Sequence, residues 1–278
     1  MKKLLIIFLS LLCLMPVIAA TELSDTETQA INDIMDFRMT LTSCKTNEEA
    51  LSEIDLYEKN LVQTDAYSLF TNETKLILDN FINLERYNYY VEIDLKHPKL
   101  EPLITPQYNK NVEWFKSNNE KDTNKWLHST FGDVISCTMQ FMSTTKAMSA
   151  GLVIKKHYEF ALEQDPDFCY GLSSMGQWLF QAPGFAGGSK KKALQHFEKA
   201  VERANTDAEQ FYAKIYLSQM YFDREENDKA NNLLADADEL QPNSNYVEKM
   251  RKINKTGHSL YTYYLNREKI DKEIKNTI

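Results

Sequence analysis

Two sets of aromatic and amide side chains recur in the second half of the sequence. Each set contains a tyrosine, a glutamine and a phenylalanine at the same spacing: Tyr170, Gln177, Phe180 and Tyr212, Gln219, Phe222. The two aromatic residues bury a large surface at a small entropic cost, and an amide both donates and accepts hydrogen bonds. Such sets suit a ligand with an apolar body and polar ends, or an extended peptide. They equally fit packing against a neighbouring helix.

A second candidate site lies where a helix is predicted to begin. Gly187, Gly188 and Ser189 precede this helix, and Lys190 is the first of three consecutive lysines. Backbone N–H groups at the positive end of a helix dipole favour an anion such as a carboxylate. Ser189 also fits an ordinary N-cap on a solvent-exposed helix start, so both interpretations stay open. The order of glycine, serine and lysine differs from that of phosphate-binding loops, which argues against nucleotide binding.

The remaining polar residues form no recognisable catalytic or metal-binding pattern. His157 and His196 each precede the large apolar residue of a predicted helix, where we expect a surface position or packing between helices rather than metal binding. The other three histidines are scattered, and neither His-Glu-x-x-His nor Gly-x-Ser-x-Gly occurs. We therefore predict a protein that is not an enzyme and that has no metal and no cofactor. The 32 basic and 40 acidic residues give a formal net charge of −8, and the sequence contains no basic tract. A net negative chain repels nucleic acid, so we predict no nucleic-acid partner.

The start of the chain has the layout of a secretory signal peptide. Lys2 and Lys3 precede an apolar run that ends at Leu14, and small residues follow it. We predict that residues 1–20 are removed on export to the periplasm or the medium, so that no transmembrane anchor remains. The alternative is that this segment stays uncleaved and anchors the protein in the membrane. The three later cysteines permit one disulfide, and a bridge between the last two is one alternative: Cys44, Cys137 and Cys169.

The composition favours helices over sheets. Hydrophobic residues make up 43% of the chain, whereas only 8 residues are glycine and 7 are proline. Folds with many tight turns need more of both, so we predict an all-α protein. Capping-box spacings at Ser24 and Thr46 predict helix starts in an N-terminal helical region over 21–130. Three prolines predict a linker over 97–106 within this region: Pro98, Pro102 and Pro106.

A spacing pattern recurs three times over residues 131–242. Each copy has a large apolar residue followed three positions later by alanine: Tyr158 and Ala161, Phe197 and Ala200, Leu234 and Ala237. Small residues at such positions let two helices approach closely. The pattern resembles the tetratricopeptide repeat. This resemblance implies a right-handed array of about three degenerate helical hairpins, with flanking N-terminal helices and a C-terminal capping helix over 243–278 that bends at Gly257.

The resemblance also gives the aromatic sets a place. In tetratricopeptide arrays the first helix of each hairpin lines a concave groove, and the two Tyr-Gln-Phe sets match positions that line it. The sequence therefore predicts an exported helical-repeat binding or scaffold protein. We expect its groove to bind a peptide, a protein partner or a small ligand. The sequence does not indicate whether the protein is a monomer or an oligomer.

The chain further resembles the T-component proteins of tripartite ATP-independent periplasmic (TRAP) transport systems. The resemblance rests on export, length, irregular helical repeats and an insertion with Pro183, Gly187 and Gly188 ahead of Lys192-Ala193-Leu194. It implies an accessory protein that binds a solute receptor or a small carboxylated ligand. A helical hydrolase acting on cell-wall glycans is a second alternative, favoured only by export and an aromatic groove.

Overall fold

The computed structural model describes residues 22–277, and every regular element in this range is helical. The predicted signal peptide lies outside the described residues. The all-α prediction is confirmed for the part described. Thirteen α-helices follow one another: α1 Asp25–Leu41, α2 Asn47–Leu61, α3 Asp65–Leu69, α4 Asn72–Ile93, α5 Leu100–Ser117, α6 Lys125–Thr138, α7 Thr144–Gln164, α8 Cys169–Gln181, α9 Lys190–Arg203, α10 Asp207–Asp223, α11 Asn227–Leu240, α12 Asn245–Lys255 and α13 Leu260–Thr277.

Both predicted capping residues begin helices. Ser24 accepts a hydrogen bond from the N–H of Glu27 at 3.3 Å, and its own N–H donates to the Glu27 carboxylate at 3.1 Å, which completes a capping box at α1. Thr46 accepts from the N–H of Glu49 at 3.1 Å and caps α2. The N-terminal region is therefore helical, as predicted.

The predicted linker over 97–106 is wrong in its second half, because α5 begins at Leu100. Pro102 lies in the first turn of α5. Backbone N–H groups in a first turn make no hydrogen bond within the helix, so proline removes none there. Pro106 lies inside the helix, at a cost of about 3 kcal/mol. The buried face of α5 offsets this cost, since Leu100, Ile104, Gln107 and Asn111 all lie in the interior.

A buried amide cluster joins α4, α5 and α6, and we define it as Asn80, Gln107, Asn111 and Thr130. The Asn80 carbonyl oxygen accepts from Gln107 Nε2 at 2.6 Å and from Asn111 Nδ2 at 2.7 Å. The Asn80 amide nitrogen donates to Asn111 Oδ1 at 2.9 Å and to Thr130 Oγ1 at 3.0 Å. Asn80 thus uses its full hydrogen-bonding capacity inside the protein.

The later helices pack as consecutive pairs. Helix α6 packs on α7, α8 on α9 and α10 on α11, and the first members of these pairs also contact each other. Helix α1 contacts α10, and α4 contacts α6, so the N-terminal helices lie on the first members. Small residues permit these approaches. A Cβ added at Gly176 would lie 2.6 Å from the ring of Phe197, and Ala193 and Ala200 are fully buried.

The C-terminal region differs from the single bent helix that was predicted. Two helices, α12 and α13, replace it, and residues 256–259 separate them. Gly257 has a φ of +81°, a left-handed conformation that ends the first helix rather than bending it. The predicted region is helical, but it consists of two shorter helices that contact each other.

Two distant loops are joined by hydrogen bonds, and we call this contact the clasp. The loop Thr42–Cys44 follows α1. The loop Gln241–Ser244 precedes α12, whose first residue is Asn245. The Asn245 N–H donates to the Thr42 carbonyl at 2.7 Å, and the Ser43 hydroxyl donates to the Pro242 carbonyl at 3.1 Å. Gln241 Nε2 donates to Ser43 Oγ at 2.8 Å. The clasp therefore ties the N-terminal region to the beginning of the C-terminal helices.

None of the described helices combines the length and the apolar character that a membrane crossing requires.

Candidate functional site

The candidate site begins with a charge on an apolar helix face. Arg38 lies on the stripe of α1 that also carries Ile31, Ile34 and Met35, all buried. Its Nε donates to Glu85 of α4 at 2.6 Å, and the two side chains are only 11% and 10% exposed. Nη1 donates to the sulfur of Met35 at 3.1 Å, whereas Nη2 has no hydrogen-bond partner among residues 22–277.

Three aromatic rings surround the guanidinium group of Arg38. Its Cζ lies 5.0 Å from the ring centroid of Phe81, 5.2 Å from that of Tyr212 and 5.8 Å from that of Tyr170. Ring faces attract a cation at such distances. Burial by itself lowers the pKa of Arg38. The nearby Glu85, Tyr170 and Tyr212 and the hydrogen bond to Glu85 together outweigh burial and hold this pKa well above its ordinary value. The arginine therefore stays charged inside an aromatic frame.

A second carboxylate, Asp133 of α6, lies beside this frame. It accepts hydrogen bonds from the hydroxyl of Tyr158 at 2.6 Å and from that of Tyr170 at 2.5 Å. Burial raises the pKa of Asp133, while the two hydroxyl donors and the charge of Arg38 act in the opposite direction. Tyr170 thus connects the two charged groups, because its ring contacts Arg38 and its hydroxyl binds Asp133.

Three further tyrosines from later helices continue the same wall. Tyr246 of α12 lies near both Tyr216 of α10 and Tyr264 of α13. The rings of Tyr212 and Tyr246 lie 6.4 Å apart. Burial raises the pKa of Tyr264, although 47% of this residue is exposed. Close surroundings combined with an exposed surface are expected for a side chain on the wall of a recess.

We call this region the tyrosine cleft. It contains one arginine, two carboxylates and five tyrosines from seven helices: Arg38, Glu85, Asp133, Tyr170, Tyr212, Tyr216, Tyr246 and Tyr264. Four of the tyrosines are half-buried and Tyr264 is exposed, so their rings combine packing against the protein with contact to solvent. Such a surface can hold an organic ligand by ring contact and orient it by hydrogen bonds.

The predicted aromatic sets divide between the cleft and the packed interior. Tyr170 and Tyr212 lie together in the cleft, on opposite sides of Arg38. Gln219 is fully buried, and its carbonyl oxygen accepts from the N–H of Leu260 at 2.9 Å, so it holds the start of α13. Phe180 stacks on Tyr261 with 4.2 Å between ring centroids. The other two members, Gln177 and Phe222, are half-buried.

The predicted anion-binding helix start has its own internal partners. Ser189 accepts from the N–H of Lys192 at 3.3 Å and is the N-cap of α9. Gly187 has a φ of +99°, and a Cβ at Gly188 would lie 1.7 Å from the Ala182 carbonyl oxygen. Lys190 donates to the carboxylate of Asp223 at 2.7 Å. Anion binding here stays a prediction, and the lysine already has a carboxylate partner within the protein.

Sequence reasoning missed three charged members of the cleft: Arg38, Glu85 and Asp133. A readable signal existed for two of them. Arg38 follows Ile34 and Met35 at helical spacing, and Glu85 follows Phe81 and Ile82 in the same way. A charge on an apolar stripe is costly unless it is paired, so each of these residues indicated a buried partner. Asp133 sits among small and polar residues and gave no such signal.

Two surface grooves lie apart from the tyrosine cleft. A groove of about 730 Å³ lies between the end of α4 and the helices α12 and α13, and acidic and basic side chains line it in equal number. Glu92 at its edge pairs with Lys249 at 2.7 Å and with Arg267 at 3.3 Å. A smaller groove of about 250 Å³ lies among α5, α6 and α7 and is mainly apolar.

A buried histidine pair joins α6 to α7. The Nδ1 atoms of His128 and His157 lie 2.9 Å apart, and His128 Nε2 lies 2.8 Å from the carbonyl oxygen of Glu120. Burial lowers the pKa of both imidazoles, so both are neutral at pH 7. Packing was expected for His157, and it is buried. In the described part of the chain, no three or more His, Cys, Asp or Glu side chains are grouped as a metal site would need.

The three described cysteines are free thiols, so the structure contains no Cys137–Cys169 bridge. Comparison with protein-family models found no match to this chain, and neither did comparison with curated proteins.

Proposed function

We propose that this is an exported, non-enzymatic binding protein that holds an organic ligand, or a side chain of a partner protein, in the tyrosine cleft. One observation carries the proposal: Tyr170 and Tyr212 hold the ion-paired Arg38 between them and stay partly exposed, and Tyr246 lies next to Tyr212. Aromatic rings that only stabilise a core are buried completely, as Phe81, Phe197 and Phe211 are. Rings left open to solvent around a buried charge favour recognition.

We further propose that the helix pairs form degenerate tetratricopeptide-like repeats. The sequential packing of α6–α7, α8–α9 and α10–α11 supports this arrangement, as do the small residues at the contacts. Pair α12–α13 continues the series in place of a single cap. The cleft tyrosines on α8, α10 and α12 then stem from the first helices of three consecutive pairs.

The N-terminal helices favour a compact ligand over a long peptide. Helices α1 and α4 lie on the first helices of the pairs, on the side where an extended peptide would bind. What stays partly exposed beside Arg38 is a small patch formed by the rings of Tyr170 and Tyr212. A small molecule or a single protruding side chain suits such a patch, whereas an extended chain needs a continuous groove.

Ligand retention tests this function. The protein purified from its own source is measured by native mass spectrometry, in parallel with Tyr212→Ala and Tyr90→Ala. Tyr90 is a matched control, because it is a half-buried tyrosine that stacks on His97 away from the cleft. We expect a bound mass in the wild type and in Tyr90→Ala that is lost in Tyr212→Ala. Equal retention in all three proteins would place the ligand elsewhere.

A transport accessory resembling the TRAP T-components is the second candidate. The observation that favours it is the insertion before α9, because the conformations of Gly187 and Gly188 both require glycine. The Pro-x₃-Gly-Gly pattern is therefore a structural requirement here rather than a chance match of letters. This role predicts genes for a solute receptor and membrane subunits beside the gene for this protein. Their absence from the genome would contradict it.

A further inference from the structure

We propose that the groove of about 730 Å³ between α4, α12 and α13 binds a small zwitterion, namely an apolar α-amino acid or a dipeptide. We call it the charged groove and define it by five of its lining residues: Glu92, Lys249, Tyr263, Arg267 and Asp271. No residue of the tyrosine cleft lines this groove. The inference therefore goes beyond the proposed function and assigns a second, separate site.

Two cations and two carboxylates hold each other in the charged groove. Lys249 donates to the two oxygens of Glu92 at 2.7 and 2.8 Å, and Arg267 Nη2 donates to the same carboxylate at 3.3 Å. Asp271 accepts from the Tyr263 hydroxyl at 2.9 Å and lies 3.5 Å from Arg267 Nε. The ring of Tyr263 also lies 4.8 Å from Lys249 Nζ. These contacts preorganise the two cations for a ligand.

Arg267 is the least satisfied of these groups. Its side chain is 11% exposed, yet only its Nη2 atom donates to a recorded partner within residues 22–277. Nε is enclosed without a hydrogen-bond partner, whereas Nη1 is not among the enclosed atoms. Unused donors on a nearly buried guanidinium group are costly, and its planar fork matches the two oxygens of a carboxylate. Arg267 therefore offers the outer edge of this group to the carboxylate of a ligand.

Two carboxylates of the groove lining are available for the opposite charge of the ligand. Glu248 precedes Lys249 on α12 and Glu268 follows Arg267 on α13, and neither carboxylate has a recorded ion pair within the described residues. Because acidic and basic side chains line the groove in equal number, a ligand with a single charge meets as many like charges as opposite ones. A zwitterion bound through its carboxylate at Arg267 can place its ammonium group near Glu268 or Glu248, so that both of its charges have opposite partners.

Apolar side chains supply the third feature of the ligand. Ile93, Leu95 and Ile274 also line the groove; Ile93 is 40% exposed, and the other two are half-buried. Covering this surface with an apolar side chain of the ligand removes it from water, which is favourable. An apolar amino acid combines a carboxylate, an ammonium group and such a side chain. The volume of the groove also lies within the usual range of small-molecule sites.

Three probes of matched shape test the inference by titration calorimetry on the purified protein. Leucine carries both charges, 4-methylpentanoate lacks the ammonium group, and 3-methylbutylamine lacks the carboxylate. We expect leucine to bind about tenfold more tightly than either of the others, because only leucine matches both kinds of charge in the groove. Leucyl-leucine, titrated in parallel, tells whether a dipeptide or a free amino acid is the better ligand.

Two variants assign the binding to the charged groove. Arg267→Lys keeps a cation beside Glu92 but removes the planar fork, and we expect about a tenfold loss of leucine affinity. Glu248→Gln combined with Glu268→Gln removes two carboxylates that have no recorded ion pair, so folding should not depend on them. This double variant should weaken leucine about fivefold and should not weaken 4-methylpentanoate. Glu239→Gln is the control, because Glu239 is an exposed carboxylate of α11 that does not line the groove. Thermal unfolding checks that each variant is folded.

The outcomes keep this inference apart from the proposed function of the cleft. Leucine affinity should be unchanged in Tyr212→Ala, and a dependence on Tyr212 would overturn the groove site while supporting the cleft. Equally tight binding of a probe with one charge would overturn the preference for a zwitterion. The inference also fails if neither leucine nor leucyl-leucine binds, or if neither groove variant changes leucine affinity. Retention of a native ligand in the cleft is a separate measurement that these failures leave unaffected.

Discussion

The amide cluster and the tyrosine cleft share helix α4 and differ in how completely their polar groups are used. Asn80 makes four hydrogen bonds within a fully buried set of side chains. Five residues later, Glu85 pairs with Arg38 in a setting where tyrosine rings stay partly exposed. Complete use of hydrogen bonds in the interior specifies a packing arrangement. Arg38 differs, because only its Nε and Nη1 atoms donate to recorded partners within residues 22–277.

The largest effect on stability is expected in the amide cluster. Asn80→Leu leaves the amides of Gln107 and Asn111 without their buried partner, so we expect a loss of about 3 kcal/mol in the free energy of unfolding. Urea denaturation measures it, with Asn88→Leu on the exposed face of α4 as the control. Ligand retention in the cleft should not change. A loss below about 1 kcal/mol would show that the cluster does not hold the three helices together.

The histidine pair sharpens the comparison, because it is buried and paired but also titratable. Burial lowers the pKa of His128 and His157 below the ordinary value of 6.5. The contribution of the neutral pair to the free energy of unfolding is therefore complete above pH 6.5. It falls as the pH drops from 6.5 towards 4, because the histidines bind protons in the unfolded chain but stay neutral in the folded protein. We expect a loss of about 2 kcal/mol between pH 6.5 and pH 5.

Denaturant unfolding as a function of pH measures this effect. A variant with phenylalanine at both positions should lose most of the dependence, whereas His196→Gln, a change outside the pair, should keep it. An unchanged slope in the double variant would assign the acid sensitivity to other groups.

The cleft should respond in the opposite way to the amide cluster. Tyr212→Leu removes a half-buried ring whose hydroxyl does not donate to Asp133. We therefore expect the free energy of unfolding to change by about 1 kcal/mol or less. Ligand retention should nevertheless be lost. Calorimetric unfolding and native mass spectrometry on the same sample give both values. A large loss of stability with ligand still bound would make the cleft a second structural cluster.

The smallest effect is expected at the start of α9. Lys190 pairs with Asp223, but its side chain is 61% exposed, and exposed pairs contribute about 0.5 kcal/mol. Lys190→Ala should therefore change the unfolding free energy by no more than about this amount. A marked loss of acetate or phosphate binding in this variant, followed by titration calorimetry, would instead support the predicted anion site.

The helical architecture was readable from composition and spacing, since these depend on local preferences. The capping residues Ser24 and Thr46 begin helices, and the small residues of the repeat pattern lie at close helix contacts. The two errors have different causes. Pro106 continues a helix because the buried face of α5 overrides the local preference of proline. Gly257 follows its local preference, but its left-handed conformation ends α12 where a bend was expected.

The site was readable only in part. Spacing brought out Tyr170 and Tyr212, because they recur at one position of successive helix pairs. It gave equal weight to Gln219, although that side chain is committed to the start of α13. Arg38 and Glu85 lie 47 residues apart and meet only when α1 packs beside α4. Their pairing depends on a three-dimensional arrangement that periodicity within one helix does not contain.

The hydrogen bond between Ser43 and Pro242, which is part of the clasp, affects how a ligand could reach the tyrosine cleft. An open array of helical repeats can stretch along its axis. Here backbone and side-chain hydrogen bonds join the loop after α1 to the loop before α12. Moving the helices of the tyrosine cleft apart would require breaking these hydrogen bonds first. Under the proposed function, we therefore expect a ligand to exchange through rotation of exposed side chains such as Tyr264, and we expect the cleft to admit only small ligands.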